Sequence, residues 1–256
     1  MTDSPIRTWL ERDGKLLRLR LDRPKANIVD AAMIAALDSA LAAQQGNKDL
    51  SAVLLDHSGP NFSFGASIEE HFPDQMPKML AALHGLLKRM LAFPSPILVV
   101  VRGRCLGGGL ELALAGTLIF AAKDATLGQP EIKLGVFAPA ASCLLPERIG
   151  PSAADDLLLS GRTITAEEAL RLRVVDRVAE DPEAAALAYF DEYLAAHSAC
   201  ALRFAVKASR AALVRRVSER LDEVERLCGV ELIKTADALE GLVAFQEKRP
   251  PRWKNC

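Results

Sequence analysis

The sequence has few cysteines, few aromatic residues and no surplus of charge. The five cysteines are an odd number and none forms a CxxC pair, which favours buried or incidental thiols in a reducing compartment. The four histidines have no spacing typical of metal ligands, so we expect no metal site. With 32 basic and 33 acidic residues the net charge is −1, which gives no reason to expect nucleic-acid binding.

Long hydrophobic runs are also missing. The longest nearly unbroken apolar stretch, Leu112–Ala122, is too short to span a membrane and is interrupted by Gly116. The N-terminal residues contain no apolar signal-peptide core, so we expect a cytoplasmic protein without a membrane segment. The length of 256 residues, half of them hydrophobic, allows one large domain or a domain with an appendage.

Strands and helices alternate through the first part of the chain. Two alternating apolar runs flank Asp13-Gly14, which predicts a hairpin, and helical crossovers between later strands indicate a largely parallel α/β core over residues 1–180. Val174–Val178 is the last predicted strand. Asp181-Pro182 then begins a helical region, 181–256, whose apolar positions could pack on a second subunit or on the chain's own core.

A glycine-rich turn in the middle of the chain is the most informative motif. The β-branched run Ile97–Val101 predicts a buried strand, Gly107, Gly108 and Gly109 follow, and a helix begins with Glu111 in its first turn. Unpaired N–H groups at such a helix start, with a carboxylate one turn away, suit an oxyanion hole beside an acid/base group. The simpler alternative is a tight turn with a glutamate that stabilises the helix dipole.

Three other segments extend this hypothesis. Gly65 allows unusual backbone geometry, so the N–H of Ala66 could point into a pocket, although an ordinary surface loop is the alternative. Pro130 stiffens the turn that presents Glu131, a second carboxylate for an acid/base pair or else a solvated side chain. The cluster at 247–249 contains Lys248 and suits a phosphate, with a solvated tail as the alternative.

Six segments, in order, resemble the crotonase (enoyl-CoA hydratase/isomerase) superfamily over nearly the whole chain. They are RPKAN at Arg23–Asn27, FSFGAS at Phe62–Ser67, GRCLGGGLELALAG at Gly103–Gly116, LGQPEIKLG at Leu127–Gly135, LLLSGRTITAEEAL at Leu157–Leu170 and EGLVAFQEKR at Glu240–Arg249. The resemblance implies a spiral of ββα units followed by a helical trimerisation region. It also implies a homotrimer or a dimer of trimers.

The resemblance assigns roles to nine residues. The oxyanion-hole N–H groups would be those of Ala66 and Gly108, and the catalytic carboxylates Glu111 and Glu131. The residues along the CoA adenine and pantetheine would be Lys25, Ala26, Ser67 and Ile68. Lys248 would meet the CoA phosphates, either in its own subunit or in a neighbour's. The implied substrate is an acyl-CoA, and no cofactor is expected because CoA is part of that substrate.

The chain departs from the common hydratase pattern at Phe64, at Ser67 and in the acyl-pocket segment Phe137–Cys143. That segment is most similar to hydratases that act on cyclohexa-1,5-diene-1-carbonyl-CoA in anaerobic benzoyl-CoA degradation. Retention of both glutamates favours hydration. The alternatives are a general enoyl-CoA or cyclohex-1-ene-1-carbonyl-CoA hydratase and a non-catalytic binding protein of the same fold. A serine hydrolase is a further alternative, although no GxSxG motif is present.

Overall fold

A computed structural model describes residues 4–256 of the protein. The strands are β1 Ile6–Glu11, β2 Leu16–Leu21, β3 Ala52–His57, β4 Ile97–Val101, β5 Arg104–Leu106, β6 Leu118–Ala122, β7 Thr126–Gly128, β8 Thr163–Thr165 and β9 Arg177–Ala179. The α-helices are α1 Ala31–Gln44, α2 Met76–Leu91, α3 Gly108–Leu114, α4 Pro139–Ile149, α5 Pro151–Ser160, α6 Ala166–Leu172, α7 Pro182–Tyr193, α8 Ala199–Arg226 and α9 Ala236–Gln246.

The strands form two sheets, and the chain alternates between them. The larger sheet has the order β1-β2-β3-β4-β6-β9, with β1 antiparallel to β2 and the other pairs parallel. The smaller sheet has the order β5-β7-β8. After β4 the chain enters the small sheet as β5 and then forms α3; β6 and β7 repeat this step before the next helical segment. This repetition confirms the expected mixed α/β spiral of ββα units with a helical C-terminal region.

The central strands of the large sheet are buried on both faces. Alternate residues of β3 point to opposite sides, so Val53 joins the main core whereas Leu54 joins a smaller cluster under α7. Phe120 and Phe190 fill that smaller cluster. All five residues of β4 are buried, and because a strand covered on both sides needs a near-continuous apolar sequence, all five are apolar.

Most of the predicted local structure is present. The hairpin joins β1 and β2, and the side chain of Asp30 accepts the N–H of Met33 at 2.8 Å to begin α1. The predicted strand at Val174–Val178 is wrong in its position, because β9 begins only at Arg177. The N–H groups of Val174 and Val175 instead donate to the carbonyl of Ala169, so these buried valines close α6 rather than pair with a strand.

The long helix α8 crosses the outside of the core. Of its 28 residues only Val217 and Leu221 are buried. Arg210 reaches inward and donates to the carbonyls of Ala115 and Gly116, at the end of α3. Since α7 packs on the large sheet, the division at residue 180 between core and helical region stays a prediction. Within residues 4–256 no helix has the length and apolar character needed to cross a bilayer.

The C-terminal residues fold back onto α9 and the turn that follows Glu131. Asp237 accepts the N–H groups of Lys254 at 2.6 Å and Asn255 at 2.7 Å. Gly135, with φ of +69°, lies so close to this segment that a Cβ atom there would be 3.1 Å from the ring of Trp253. The end of the chain is therefore packed against the segment that presents Glu131.

Candidate active site

Two carboxyl groups meet at a small cavity. Glu111 lies in the first turn of α3 and is only 3% exposed. Its Oε1 accepts a 2.8 Å hydrogen bond from the N–H of Ala141, the third residue of α4, which has no partner within its own helix. Glu131 is half-buried on a 3₁₀ turn, Pro130–Leu134. Both glutamates line the same cavity.

The surroundings of the two carboxyl groups raise the pKa of each. Burial raises the pKa of Glu111 to about 7, although the N–H groups of Ala141 and Ala140 oppose this by stabilising the ionised form. Burial and then the charge of Glu111 raise the pKa of Glu131 to about 8. Near neutral pH the pair therefore shares one proton. The N–H groups at the start of α4 favour the anion on Glu111.

Two main-chain N–H groups lie side by side at the same cavity. Among the described residues, neither Ala66 N nor Gly108 N has a protein acceptor, whereas Gly107 N donates to the carbonyl of Gly128 at 3.0 Å. A Cβ atom on Gly108 would lie 3.1 Å from Ala66 N, so the two N–H groups are close neighbours. Gly65, with φ of +108°, provides the turn that brings Ala66 there. Unpaired donors at a cavity are available to a ligand oxygen.

The position of Glu131 depends on a glycine and an amide. A Cβ atom on Gly107, which has φ of +52°, would lie 2.6 Å from Oε1 of Glu131. With its amide nitrogen turned towards Glu131, the buried Gln129 donates to both carboxyl oxygens, at 3.1 and 3.0 Å. The carboxyl group is thus held against the backbone of the glycine turn.

The small cavity shares lining residues with a larger one. The small cavity has a volume of about 70 Å³ and the larger one about 950 Å³, and Phe64, Ala66 and Ile68 line both. The larger cavity is bordered by four basic residues: Arg104, Lys133, Lys248 and Arg249. A compact apolar group in the small cavity could therefore carry a long anionic extension through the larger one.

The structure brings most of the sequence-predicted residues together. Ala66, Gly108, Glu111 and Glu131 line the small cavity. Ser67, Ile68 and Lys248 line the larger one. Lys25 and Ala26 line neither. The carbonyl of Lys25 accepts from the side chain of Asn61, and that of Ala26 accepts from the N–H of Phe64.

Sequence reasoning missed several lining residues. Arg104 and Lys133 lie on the larger cavity, but single basic residues in separate segments carry no spacing signal. His71 lies on the small cavity, but a lone histidine in a polar stretch has no spacing that marks it as a site residue. The apolar stripe of α2 supplies Met76, Met79, Leu80 and Leu83 to the same wall, although helical spacing alone marks such residues only as core.

Cys105 is buried, and the described residues contain no metal-binding cluster. Cys105, next to the glycine turn, is fully buried, and burial raises the pKa of its thiol far above the ordinary range, so it is no nucleophile. Within residues 4–256 no cluster of three or more histidine, cysteine, aspartate or glutamate side chains could hold a metal ion.

The spiral fold, the paired carboxyl groups and the free N–H groups agree with one class of protein. The chain belongs to the enoyl-CoA hydratase/isomerase family, whose model matches residues 11–256. It is 61% identical to the cyclohexa-1,5-dienecarbonyl-CoA hydratase of Thauera aromatica over 252 residues, 98% of each chain. It is 32% identical to the carnitinyl-CoA dehydratase of Salmonella arizonae, covering 96% of this chain and 97% of the relative.

The fold has solved counterparts. An enoyl-CoA hydratase from Bacillus halodurans superposes with a TM-score of 0.88 at 22% identity, covering 94% of this chain and all of that one. At this level of identity the match supports the crotonase fold, and the two sequence relatives carry the argument about chemistry.

Proposed function

We propose that this protein hydrates cyclohexa-1,5-diene-1-carbonyl-CoA to 6-hydroxycyclohex-1-ene-1-carbonyl-CoA in the anaerobic degradation of benzoyl-CoA. The observation that carries the chemistry is the pair of glutamates, Glu111 buried and Glu131 half-buried, beside two unpaired main-chain N–H groups. The observation that carries the substrate is the 61% identity, over 98% of the chain, to a hydratase of that ring thioester.

The oxyanion hole would be formed by Ala66 and Gly108. Attack of water at the β-carbon of a conjugated thioester moves an electron pair onto the thioester oxygen. Two N–H groups that already point at that oxygen stabilise the negative charge, and one such donor is typically worth ~3 kcal/mol. Both groups lack a protein acceptor among the described residues, so a bound carbonyl breaks no hydrogen bond within the protein.

The two glutamates would divide the proton transfers. Glu111, whose anion accepts the N–H of Ala141, removes a proton from the attacking water as the oxygen bonds to the β-carbon. Glu131 gives its proton to the carbon at the far end of the ring diene. One double bond remains conjugated to the thioester. Transfer of the new proton from Glu111 to Glu131 restores the starting state, and no cofactor takes part.

The cavities suit such a substrate in polarity and charge. Apart from the two glutamates and His71, the small cavity is lined by glycine and apolar side chains, which suit a hydrocarbon ring. We assign the pantetheine and nucleotide of CoA to the larger cavity, where Lys248 and its basic neighbours balance the phosphate charge. Ser67 and Ile68 line this larger cavity, and together with Lys25 and Ala26 they would lie along the CoA adenine and pantetheine.

We further propose a cytoplasmic homotrimer or dimer of trimers. The exposed length of α8 supports this, since Phe204 on that helix is 68% exposed and only two of its residues are buried in the single chain. Association through the helical region would cover this surface.

Three thioesters offered separately test the proposal. Crotonyl-CoA, cyclohex-1-ene-1-carbonyl-CoA and cyclohexa-1,5-diene-1-carbonyl-CoA would be incubated with the protein, and water gain would be followed by mass spectrometry. We expect a gain of one water chiefly on the diene. A gain chiefly on crotonyl-CoA would identify a general enoyl-CoA hydratase, and no gain on any of the three would refute hydration.

A further inference from the structure

The wall of the small cavity contains one polar side chain that the proposed mechanism does not use. Apart from Glu111 and Glu131, every other lining residue described is glycine or has an apolar side chain, except His71. This histidine ends a short 3₁₀ turn, Glu69–His71, that follows directly after the segment with Ala66. It therefore lies on the small cavity but belongs to neither the proposed acid/base pair nor the proposed oxyanion hole.

The hydrogen bonding of His71 determines which nitrogen is available. Its Nδ1 lies 2.6 Å from the carbonyl oxygen of Ser67, and because a carbonyl only accepts, Nδ1 carries a proton. Burial lowers the pKa of the imidazole, which keeps the ring neutral at neutral pH. Nε2 is then a hydrogen-bond acceptor. It has no partner among the described residues, and it is not sealed within the core either.

We propose that His71 determines acyl specificity, because its unpaired Nε2 disfavours an extended apolar chain and so favours a compact ring. A compact acyl group leaves Nε2 in contact with water, whereas a longer chain that follows the α2 wall covers it. Covering an acceptor without supplying a donor loses its hydrogen bond to water, and this loss opposes the gain from burying additional methylene groups. The inference rests on the proposed acyl-CoA function of this cavity.

The test measures binding rather than turnover. Butyryl-CoA and hexanoyl-CoA are saturated and cannot be hydrated, so their dissociation constants can be measured by isothermal titration calorimetry with the intact protein. In the wild type we expect hexanoyl-CoA to bind within about threefold of butyryl-CoA. In His71→Leu we expect hexanoyl-CoA to bind at least tenfold tighter than in the wild type, about 1.4 kcal/mol, with butyryl-CoA within threefold.

Two variants separate polarity from shape. His71→Gln keeps a polar acceptor near the position of Nε2 and should retain the wild-type preference. His71→Met is a second apolar replacement, should His71→Leu fail to fold, and should behave like it. His197→Leu, at an exposed histidine between α7 and α8, is the matched control and should change neither constant by more than twofold.

The outcomes separate this inference from the proposed function. An unchanged hexanoyl-CoA affinity in the apolar variants, or an equal gain in His71→Gln, would overturn the role of His71 even if the diene is hydrated. Absence of diene hydration with a clear gain in hexanoyl-CoA binding would instead refute the substrate and leave the specificity role intact.

Discussion

Gly107 and Glu131 are in such close contact that the carboxyl oxygen leaves too little room for a Cβ atom at position 107. The distance from that ideal position to Oε1 of Glu131 is 2.6 Å, and φ of Gly107 is +52°. A side chain at this position would both strain the backbone and push the carboxyl group away. The glycine turn therefore positions Glu131 as well as the N–H of Gly108.

Gly107→Ala should lower kcat for thioester hydration at least ~10-fold, because the added methyl group displaces Glu131 from its working position. Steady-state kinetics on the preferred thioester would measure this. Gly85→Ala is the matched control, since a Cβ atom at that exposed position in α2 meets nothing within 4 Å. Its activity should stay unchanged. Equal kcat values in the two variants would show that Glu131 does not depend on this contact.

Replacing either carboxyl group by an amide should reduce turnover strongly. Glu111→Gln and Glu131→Gln each remove one proton-transfer group while keeping its size, and we expect a loss of at least ~100-fold in kcat. The measurement is the initial rate of hydration with saturating substrate, with circular dichroism to verify folding. Near-wild-type turnover in either variant would refute the proposed hydratase mechanism.

The pH dependence of the rate should be bell-shaped with its maximum between about pH 7 and 8. Below about pH 7 Glu111 gains a proton and cannot act as base, and above about pH 8 Glu131 loses the proton that it must donate. The two limbs belong to the coupled pair rather than to either residue alone. Profiles of kcat/KM from pH 5 to 10 would measure them, and a rate that rises steadily to pH 10 would contradict a single shared proton.

The ionised form of Glu111 should also lower the free energy of unfolding at alkaline pH. Its pKa in the folded state, about 7, lies above the unfolded value of 4.5, so the folded state binds more protons between these values. Stability therefore falls as pH rises through that window and stays lowered above it. At pH 8.5 Glu111→Gln should raise the melting temperature by roughly 6–12 °C, for a gain of about 3 kcal/mol.

The comparison at low pH provides the check on that stability effect. Near pH 4.5 the wild-type carboxyl group is protonated in the folded chain, so the amide should change the melting temperature little. Scanning calorimetry of both proteins at the two pH values would suffice. An equal shift at both values would mean that packing, rather than ionisation, determines the difference.

Much of the fold was predicted where the residues that cause an element lie within that element or next to it in the sequence. Asp30 begins α1 through its own side chain, and the β-branched residues of β4 are buried as their composition indicates. The strand predicted from Val174 was wrong because a buried turn and a buried strand have the same apolar sequence pattern. Only the structure shows that the N–H groups of Val174 and Val175 donate to the carbonyl of Ala169. The match of the family model confirmed the fold and the family that six motifs predicted.

The candidate site was predicted where motifs exist and missed where only the tertiary structure brings residues together. Glu111 and Glu131 were identified from the sequence, but the N–H of Ala141 that selects the anion comes from another helix, 30 residues away. His71 reaches the cavity because a single 3₁₀ turn orients it, and a lone histidine in a polar stretch has no pattern to indicate this.

The packing of the last residues against α9 and Gly135 has a consequence for shortening the chain. Asp237 holds the main chain at Lys254 and Asn255, and Trp253 lies beside the turn that follows Glu131. Deleting residues 253–256 would remove the ring of Trp253 and both main-chain donors held by Asp237, so the segment that presents Glu131 would lose the contacts that pack against it.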